Sequence, residues 1–313
     1  MKVFVAGASG ALGARLVPQL VTAGHQVVAM TRSASKQDGL RALGAHPVLA
    51  DALEPDAVAQ AIAAAAPEVI VHQLTALSGA PDLRHPDRYF ATTNRLRTEG
   101  TDHLLAAGRA VGVRRFVAQS FAGWPYARTG GPVKSETDPL DPDPPAGLRT
   151  TLDALHYLED AVTAFPGGVV LRYGGFYGPG TGLSADPDAP MAATVRKRQF
   201  PLVGAGDGVW SFIHIDDAAA ATVLAVERGT PGIYNIVDDD PAPVREWLPE
   251  LAAALDAKPP LRLPRWLAKI AAGPAAVAML TEVRGASNAK ARAEFGWQPQ
   301  YSSWRDGFGK GMG

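Results

Sequence analysis

The sequence predicts an α/β protein in which a doubly wound parallel sheet is followed by a smaller C-terminal lobe. Three observations predict this fold class. The chain opens with a strand–turn–helix–strand unit over residues 1–32, strand-like and helix-like segments then alternate as far as residue 173, and the pattern becomes irregular from residue 174. A chain of 313 residues is also long enough to bury a substantial core.

The opening unit carries a glycine-rich turn with the spacing of a dinucleotide-binding site. The predicted strand, helix and second strand occupy residues 2–6, 14–23 and 27–30. Gly7 allows a tight turn, Gly10 lets backbone amides approach a pyrophosphate, and Gly13 lets the helix pack close to the strand. The pyrophosphate would lie at the helix N-terminus, where free N–H groups favour an anion. The cofactor contacts predicted in this turn are Gly7, Ala8, Ser9, Gly10, Ala11, Leu12 and Gly13.

The residues after the second strand indicate which dinucleotide binds. An NAD enzyme places an acid at this strand end to hold the ribose 2′-hydroxyl. Here the strand ends in Thr31, followed by Arg32 and Ser33, with Lys36 close behind. Because a hydroxyl and a guanidinium suit a 2′-phosphate, NADP(H) is favoured over NAD(H). The alternative is that Arg32 stacks on the adenine, which would fit either cofactor.

Regular alternation continues to residue 173. The predicted helices cover 36–43, 54–66, 90–110 and 150–164, and the predicted strands cover 47–50, 68–72, 114–119 and 168–173. Residues 122–148, rich in proline, glycine and aspartate, are expected to form a long irregular loop. Asp51 is expected to cap the helix that begins at residue 54, to border the adenine with Ala52 and Leu53, or to do both.

The segment after the fourth strand is expected to pass the cofactor. Gln73, Leu74, Thr75 and Ala76 follow that strand directly. In open parallel sheets, ligands bind at the carboxyl ends of the strands. His72, the last residue of the strand, is expected to be packed rather than to act as a base.

The C-terminal part changes character. Residues 174–210 are rich in glycine and proline, with one predicted helix over 190–199. Later strands are predicted at 211–217 and 233–237, and later helices at 218–228, 243–256 and, in bent form, 266–281. Asp216 and Asp217 are expected to cap the helix that follows them. We expect a dinucleotide-binding domain over 1–173, to which 209–237 returns, and a mainly substrate-binding lobe over 174–313.

Composition excludes several classes of function. A net charge of −1, with both signs interspersed, provides no basic face for nucleic acid. The absence of cysteine excludes disulfides, thiolate metal sites and cysteine nucleophiles. An N-terminal strand in place of an export signal predicts a cytoplasmic protein. The apolar run 266–281 is too short to span a bilayer, so no membrane partner is expected, and a membrane-surface helix is the alternative.

Several motifs resemble those of one family. They are GASGALG at 7–13, the strand end at 71–76, Asn94 in a helix, LRYGGFYGPG at 171–180, VGAGDGVWSFIHIDDAAAA at 203–221 and FGWQPQYSSWRDGF at 295–308. Together they resemble the extended short-chain dehydrogenases/reductases, the group of NAD(P)-dependent epimerases, dehydratases and reductases, nearly end to end. The resemblance implies a Rossmann-type fold, a small-molecule substrate, no metal, and further cofactor contacts at Asn94, Gln119, Tyr173, Gly174 and Phe176. It also implies a homodimer through helices 92–108 and 150–164, although the alanine-rich faces there would suit a monomer too.

The chain departs from this family at the residues that transfer protons. Members use a Ser or Thr after the fifth strand, then a Tyr and a Lys four residues on, and the lysine lowers the tyrosine pKa. Alignment on the flanking motifs places Phe121, Thr151 and Leu155 at these three positions. None of the seven tyrosines has a lysine four residues later. The usual catalytic triad is therefore expected to be absent.

Three hydroxyl groups are candidates for the missing function. Ser120 is the nearest hydroxyl to the serine position, although strand-end serines often only cap the next turn. Tyr126 lies in a loop that usually faces substrate in the family, but it would also suit a solvated loop. Thr151 is placed to donate a hydrogen bond to a substrate oxygen, but its hydroxyl is far too weak an acid to serve as a general base.

These residues predict an NADP(H)-dependent oxidoreductase of an atypical extended type. The expected substrate is a small or mid-sized carbonyl, alcohol or conjugated compound. Most of the catalysis would come from the positioning of the cofactor against the substrate. The proton would come from water, from the substrate, or from Tyr126 or Ser120. Two alternatives remain: a non-catalytic NADP(H)-binding sensor, and a redox-neutral isomerase or epimerase with bound cofactor.

Overall fold

A seven-stranded parallel sheet lies at the centre of the computed structural model, which describes residues 1–77 and 79–313. The strands are β1 (Lys2–Ala6), β2 (Gln26–Thr31), β3 (His46–Leu49), β4 (Val69–His72), β5 (Arg115–Phe121), β6 (Val133–Lys134), β7 (Gly168–Tyr173), β8 (Gly175–Tyr177), β9 (Leu202–Val203), β10 (Val209–Trp210), β11 (Phe212–His214), β12 (Gly232–Ile236), β13 (Ala242–Pro243), β14 (Arg262–Leu263) and β15 (Gly285–Ala286). The helices are α1 (Ala11–Thr22), α2 (Gln37–Ala42), α3 (Pro55–Ala65), α4 (Pro86–Arg97), α5 (Glu99–Ala110), α6 (Arg149–Thr163), α7 (Pro190–Arg196), α8 (Ile215–Arg228), α9 (Val244–Ala254), α10 (Arg265–Thr281), α11 (Ala289–Phe295) and α12 (Trp304–Lys310).

The strand order of the central sheet confirms the predicted doubly wound fold. The order is β12-β7-β5-β4-β1-β2-β3, and each neighbouring pair is parallel. The chain runs from β1 outward through β2 and β3, then returns to pair β4 with the other side of β1. The carboxyl ends of β1 and β4 therefore border the topological switch point, which is where ligands bind in such sheets.

Both faces of the sheet are covered by helices. Along β1, Val3 and Val5 pack into a cluster with apolar residues of α1 and α8, whereas Phe4 and Ala6 pack into a second cluster with residues of α3, α5 and α6. This alternation explains why β1 reads as a continuous apolar run, since a strand covered on both faces has no polar side.

The short later strands and helices form a separate apolar cluster. It contains Phe212 of β11, Trp247 of α9, Leu280 of α10, and Trp304 and Phe308 of α12. Helix α10 is bent at Gly273, whose φ is +87°, as the glycine–proline step predicts. Among the described residues, no helix combines the length and the apolar character needed to cross a bilayer.

One predicted helix is two helices in the structure. The sequence predicts a single helix over 90–110, but α4 and α5 are separated by Thr98, with φ −99° and ψ −84°. The Thr98 hydroxyl donates to the carbonyl oxygen of Asn94 at 3.1 Å. Threonine bonds of this kind to the preceding turn bend helices, because the side chain competes with the backbone for the carbonyl.

Two predicted helix caps are also wrong. The N-cap of α3 is Glu54 without a side-chain bond, while Asp51 Oδ1 accepts the amide of Leu53 at 3.0 Å and forms a local turn. Helix α8 begins earlier than predicted, so Asp216 and Asp217 lie within its first turn. Its cap is His214, whose Nδ1 accepts the amide of Asp216 at 3.2 Å. The predicted loop 122–148 is irregular apart from β6, which pairs with β15.

Candidate active site

The glycine turn between β1 and α1 has a geometry that only glycine tolerates at two positions. Gly7 has a φ of +93°, and a Cβ there would lie 2.6 Å from the carbonyl oxygen of Gln73. A Cβ on Gly13 would lie 2.4 Å from the carbonyl oxygen of Ala8. Gly10 precedes α1 and offers no side-chain cap, so the first N–H groups of the helix are left for another acceptor. The turn fits a pyrophosphate.

An open cleft of about 360 Å³ adjoins this turn. Its lining residues are Ser9, Gly10, Ala11, Ala14, Arg15, Pro179 and Gly180. The guanidinium of Arg15 is already paired with Asp216, through contacts of 2.5 and 2.8 Å. The free anion-binding groups of the cleft are therefore backbone amides and the Ser9 hydroxyl, as expected for a helix N-terminus.

The end of β2 places hydroxyl and cationic groups beside the cleft. Thr31 is buried, and its Oγ1 lies 3.3 Å from Oγ of Ser9 and accepts the amide of Ser33 at 3.2 Å. Arg32 and Lys36 are exposed. Within residues 1–77 and 79–313, neither of these two cations forms an ion pair, whereas nearby Arg41 pairs with Asp38. Ala52 and Leu53 follow β3 at the same edge of the sheet.

The residues after β4 lie against the neighbouring strand ends. The Gln73 amide donates to the Tyr173 hydroxyl at 3.3 Å, and its Oε1 is buried without a partner. The amide of Ala76 donates to Thr93 Oγ1 at 3.0 Å, which anchors the segment containing Leu74 and Thr75 to α4. Of the further predicted contacts, Gln119 lies on β5, Gly174 directly follows β7, and Phe176 lies on β8.

His72 is packed as expected. It is buried at the end of β4, its ring bonds Thr101 Oγ1 at 3.1 Å, and its Nδ1 accepts the amide of Leu74. Burial, together with the nearby charge of Arg97, lowers the pKa of His72 to about 4. The ring is neutral at physiological pH and both of its nitrogens are bonded.

The helix residue Asn94 and the helix residue Thr151 are brought together. Both are buried, and Asn94 Nδ2 donates to Thr151 Oγ1 at 3.1 Å. Beside them, Phe121, Trp124 and Leu155 belong to one apolar cluster. The other members of this cluster are Leu83, Phe90, Leu140, Leu148, Leu152, Trp210, Ala275, Met279 and Val283. This apolar cluster presents aromatic and aliphatic surface next to one pair of hydrogen-bonding groups.

Ser120 and Tyr126 lie in a different, fully buried network. The Ser120 hydroxyl donates to Glu159 at 2.6 Å, and Glu159 forms a two-pronged ion pair with Arg172 at 2.7 and 2.5 Å. The Tyr126 hydroxyl accepts from Arg172 at 3.0 Å and donates to Asn235 Oδ1 at 2.6 Å. Their catalytic role, like that of Thr151, stays a prediction.

Sequence reasoning missed most of this network. Arg172 interrupts an otherwise apolar strand, and a charged residue on a strand buried on both faces requires a buried partner. That signal was available, but it did not identify Glu159 as the partner. A second buried arginine, Arg97 of α4, was also missed and lies next to Asn94. In the described parts of the chain, no group of three or more acidic or histidine side chains is arranged to hold a metal.

Comparisons with known proteins identify the family. A model described as NAD dependent epimerase/dehydratase family matches residues 3–237. The chain is 46% identical over 312 residues to a 3-diazoavenalumate denitrifying reductase from a Streptomyces species, covering 99% of this chain and 100% of that protein. It is 30% identical over 281 residues to a 2-alkyl-3-oxoalkanoate reductase from Stenotrophomonas maltophilia, covering 82% and 76%.

Solved structures share the fold along the whole chain. A UDP-glucose 4-epimerase from Thermus thermophilus, in complex with NAD, has a TM-score of 0.74 at 25% identity and covers 100% of this chain and 98% of its own. These matches confirm the predicted family and the nicotinamide dinucleotide as cofactor class, whereas the preference for NADP(H) stays a prediction. The chain belongs to the NAD dependent epimerase/dehydratase family of extended short-chain dehydrogenases/reductases, and it is an oxidoreductase.

Proposed function

We propose that the protein is an NADP(H)-dependent reductase whose site supplies no acidic proton donor. One observation carries this proposal. The apolar cluster beside Asn94 contains Phe121 and Leu155, and the hydrogen-bonding group there is the threonine hydroxyl of Thr151. When bound, the cofactor supplies a hydride, and the chain's own task is to hold the acceptor and exclude water.

The residues at the end of β2 support the choice of cofactor. Arg32 and Lys36 are exposed cations without an ion pair in the described structure, and the hydroxyls of Ser33 and Ser35 lie 2.9 Å apart between them along the chain. A 2′-phosphate would accept from these groups, because a guanidinium and hydroxyls are the donors that phosphate prefers. An NAD(H) ribose would leave the two cations without an anion.

The surroundings of the other two hydroxyls support the absence of a proton donor. Ser120 already donates to a carboxylate, and Tyr126 already donates to Asn235. Burial raises the pKa of Tyr126, although the neighbouring Arg172 opposes the shift. A proton taken from either group would leave a buried charge or break a buried bond, which is costly.

A substrate reduced without a proton fits this site best. The relative at 46% identity is named a denitrifying reductase of a diazo compound. When hydride replaces a diazonium group, R–N₂⁺ and H⁻ give R–H and N₂, and nitrogen leaves with the electron pair of the carbon–nitrogen bond. The product carbon needs no proton. We propose that this chain removes a diazo group from a planar, largely apolar substrate.

Reduction of a ketone is the second candidate. The relative at 30% identity is named a 2-alkyl-3-oxoalkanoate reductase. A carbonyl group that accepts hydride must gain a proton on oxygen, so this chemistry needs an acid that Thr151 does not provide. Water entering the site would have to supply the proton, and the rate would then depend on pH.

The cofactor assignment is tested by titrating the protein with NADPH and with NADH, with Arg32→Ala as the variant. We expect NADPH to bind more tightly, and Arg32→Ala to weaken NADPH about 10-fold or more while leaving NADH unchanged, since a lost charge-assisted bond costs about 1.5–3 kcal/mol. Arg41→Ala is the matched control, because Arg41 pairs with Asp38. Equal binding of both nucleotides by the unchanged protein would contradict the assignment.

The reaction is tested with benzenediazonium and NADPH deuterated at C4. We expect one N₂ released per NADPH oxidised, deuterium on the product carbon, and a rate that is flat between about pH 6 and pH 9, because no proton is transferred. Gly13→Ala places a Cβ against the carbonyl of Ala8 and should disrupt the glycine turn. The rate measured with this variant gives the reaction that occurs without enzyme catalysis. Turnover of 2-alkyl-3-oxoalkanoates alone, with a rate that falls as pH rises, would favour the ketone reductase.

We also propose that the protein is a homodimer and that it is located in the cytoplasm. The exposed faces of α5 and α6 are linked by the Tyr157 hydroxyl, which donates to Asp102 at 2.6 Å, and this polar surface would form the proposed contact. Sedimentation analysis of the purified protein measures its oligomeric state, and a monomer at micromolar concentration would overturn the dimer.

A further inference from the structure

Three buried polar residues form a short chain that ends at the apolar cluster. Arg97, the last residue of α4, places NH1 3.5 Å from Asn94 Oδ1, and Asn94 Nδ2 donates to Thr151 Oγ1 at 3.1 Å. Only 8% of Arg97 is exposed, and its hydrogen-bond partners in the described residues include no carboxylate. The charge of Glu159 acts on Arg97 from a distance, but the hydrogen bonds of that carboxylate go to Arg172 and Ser120. Burial lowers the pKa of Arg97 to about 10, so the guanidinium is charged at neutral pH.

The direction of these hydrogen bonds follows from Arg97. A guanidinium has five N–H donors and no acceptor, so the atom of Asn94 that faces it must be Oδ1. The amide nitrogen of Asn94 then faces Thr151 and donates to its oxygen. Thr151 therefore accepts within this chain and keeps its own hydrogen for another acceptor.

The helix leaves that hydrogen without a partner. Three other helical threonines, Thr163, Thr222 and Thr281, donate to the carbonyl four residues earlier at 2.7, 2.7 and 2.8 Å. Thr151 is the third residue of α6, so the residue four positions earlier precedes the helix. In the described structure, its hydroxyl donates to no protein acceptor. It lies one helical turn before Leu155, at the edge of the apolar cluster.

A buried cation that hydrogen-bonds no carboxylate and a buried hydroxyl without an acceptor are both unfavourable in the empty protein. Leaving a charge without its counter-charge costs several kcal/mol, and such groups persist where a ligand completes them. One electron-rich oxygen placed against Thr151 would accept its hydrogen directly and would interact with the charge of Arg97 through Asn94. The positive charge behind Asn94 would strengthen that hydrogen bond, because the site is dry.

We propose that Arg97 is a positioning residue which, through Asn94, directs the Thr151 hydroxyl to an oxygen on the substrate. This inference rests on the proposed function. Alignment on the family's motifs places Thr151 at the position of the tyrosine that contacts the reacting group, so we expect the oxygen to lie on, or next to, the carbon that receives the hydride. The preferred diazo substrate therefore carries an oxygen ortho to the diazo-bearing carbon.

The test compares 2-hydroxybenzenediazonium, 4-hydroxybenzenediazonium and benzenediazonium as substrates. Thr151→Val is expected to lower kcat/KM about 10-fold or more for the ortho compound and less than about twofold for the other two, because only the ortho oxygen reaches the hydroxyl. Thr151→Ser is expected to retain the preference. Arg97→Met should reproduce the ortho-specific loss, Arg97→Lys should recover part of it, and the double variant Arg97→Met/Thr151→Val should lose no more than either single variant.

Two further measurements separate the possible failures. Binding of phenol, the product of the ortho compound, is titrated with NADP⁺ present, and NADPH binding and the melting temperature are measured for every variant. Equal loss for all three substrates, or losses that multiply in the double variant, would overturn the inference. If the unchanged protein binds phenol through Thr151 and Arg97 but releases no N₂, the proposed function is wrong and the positioning role stands.

Discussion

Two buried hydrogen-bond networks lie on the same side of the sheet, and they differ in whether their hydroxyl groups donate to an acceptor within the protein. The closed network consists of Ser120, Tyr126, Glu159, Arg172 and Asn235, and the open network consists of Arg97, Asn94 and Thr151. In the closed network the charge of Arg172 is balanced by Glu159, and both hydroxyls donate to protein oxygens. In the open network the cation hydrogen-bonds no carboxylate, and the hydrogen of the Thr151 hydroxyl has no acceptor among the described residues.

This difference separates stability from recognition. A satisfied buried network contributes rigidity, because any rearrangement leaves a polar group without a partner. An unsatisfied network lowers the free energy of unfolding of the ligand-free protein. A ligand that completes its hydrogen bonds restores that stability on binding. The closed network holds the ends of β5 and β7 together, whereas the open network has the free hydroxyl that the proposed substrate contact requires.

The largest expected effect comes from breaking the closed network at its carboxylate. Glu159→Gln leaves Arg172 buried beside a neutral amide, and the free energy of unfolding is expected to fall by about 3–5 kcal/mol. Urea unfolding measures it. Glu99→Gln is the matched control, because it removes the exposed pair with Arg95 and should cost about 0.5 kcal/mol or less. A loss below about 1 kcal/mol for Glu159→Gln would contradict the structural role of the closed network.

The second prediction concerns the protonation of His72, which adds a positive charge beside the open network. The cation of that network, Arg97, lies near His72, whose pKa in the folded protein is about 4, against 6.5 when exposed. The unfolded chain binds the proton more tightly, so stability is constant above about pH 6.5 and falls as pH drops toward 4, by up to about 3 kcal/mol. His72→Gln should remove this part of the pH dependence.

The control for this measurement is His46→Gln, since His46 is exposed on β3. Unfolding free energies measured between pH 4 and pH 7 give the slope for each variant, which is informative even if His72→Gln is less stable at every pH. An unchanged slope in His72→Gln would show that other groups cause the acid sensitivity.

The nucleotide half of the molecule could be predicted from sequence because its signals are local. Strand β1, the glycine turn and α1 are contiguous, and the need for glycine is local at Gly13, which packs on Ala8, and at Gly7, whose φ is +93°. The approach of Gly7 to Gln73 is the long-range part of this geometry. The confirmed sheet order follows from the same local alternation of strands and helices.

The two networks could not be predicted in this way, because their members are far apart in the chain. Ser120 and Glu159 are 39 residues apart, Tyr126 and Asn235 are 109 apart, and Asn94 and Thr151 are 57 apart. Ser120 and Tyr126 are candidate catalytic groups from sequence because each carries a hydroxyl near a position that the family uses, and a hydroxyl cannot be recognised as occupied until its partner is known. The bend at Thr98, which separates α4 from α5 and follows Arg97, was hidden by a helix-forming pattern on both sides.

Tyr126→Phe is expected to have the smallest effect on stability, and it tests directly whether Tyr126 is a proton donor. The variant removes one hydroxyl that accepts from Arg172 and donates to Asn235, so unfolding should become easier by about 1–3 kcal/mol. Turnover of the folded protein should stay within about twofold of the original, because a group enclosed in the closed network transfers no proton. Tyr157→Phe is the matched control, since its hydroxyl donates to Asp102 at the surface and its loss should cost less than about 0.5 kcal/mol. A fall in kcat of about 100-fold or more with stability unchanged, in the range that removal of a general acid produces, would reverse the assignment and make Tyr126 the missing proton donor.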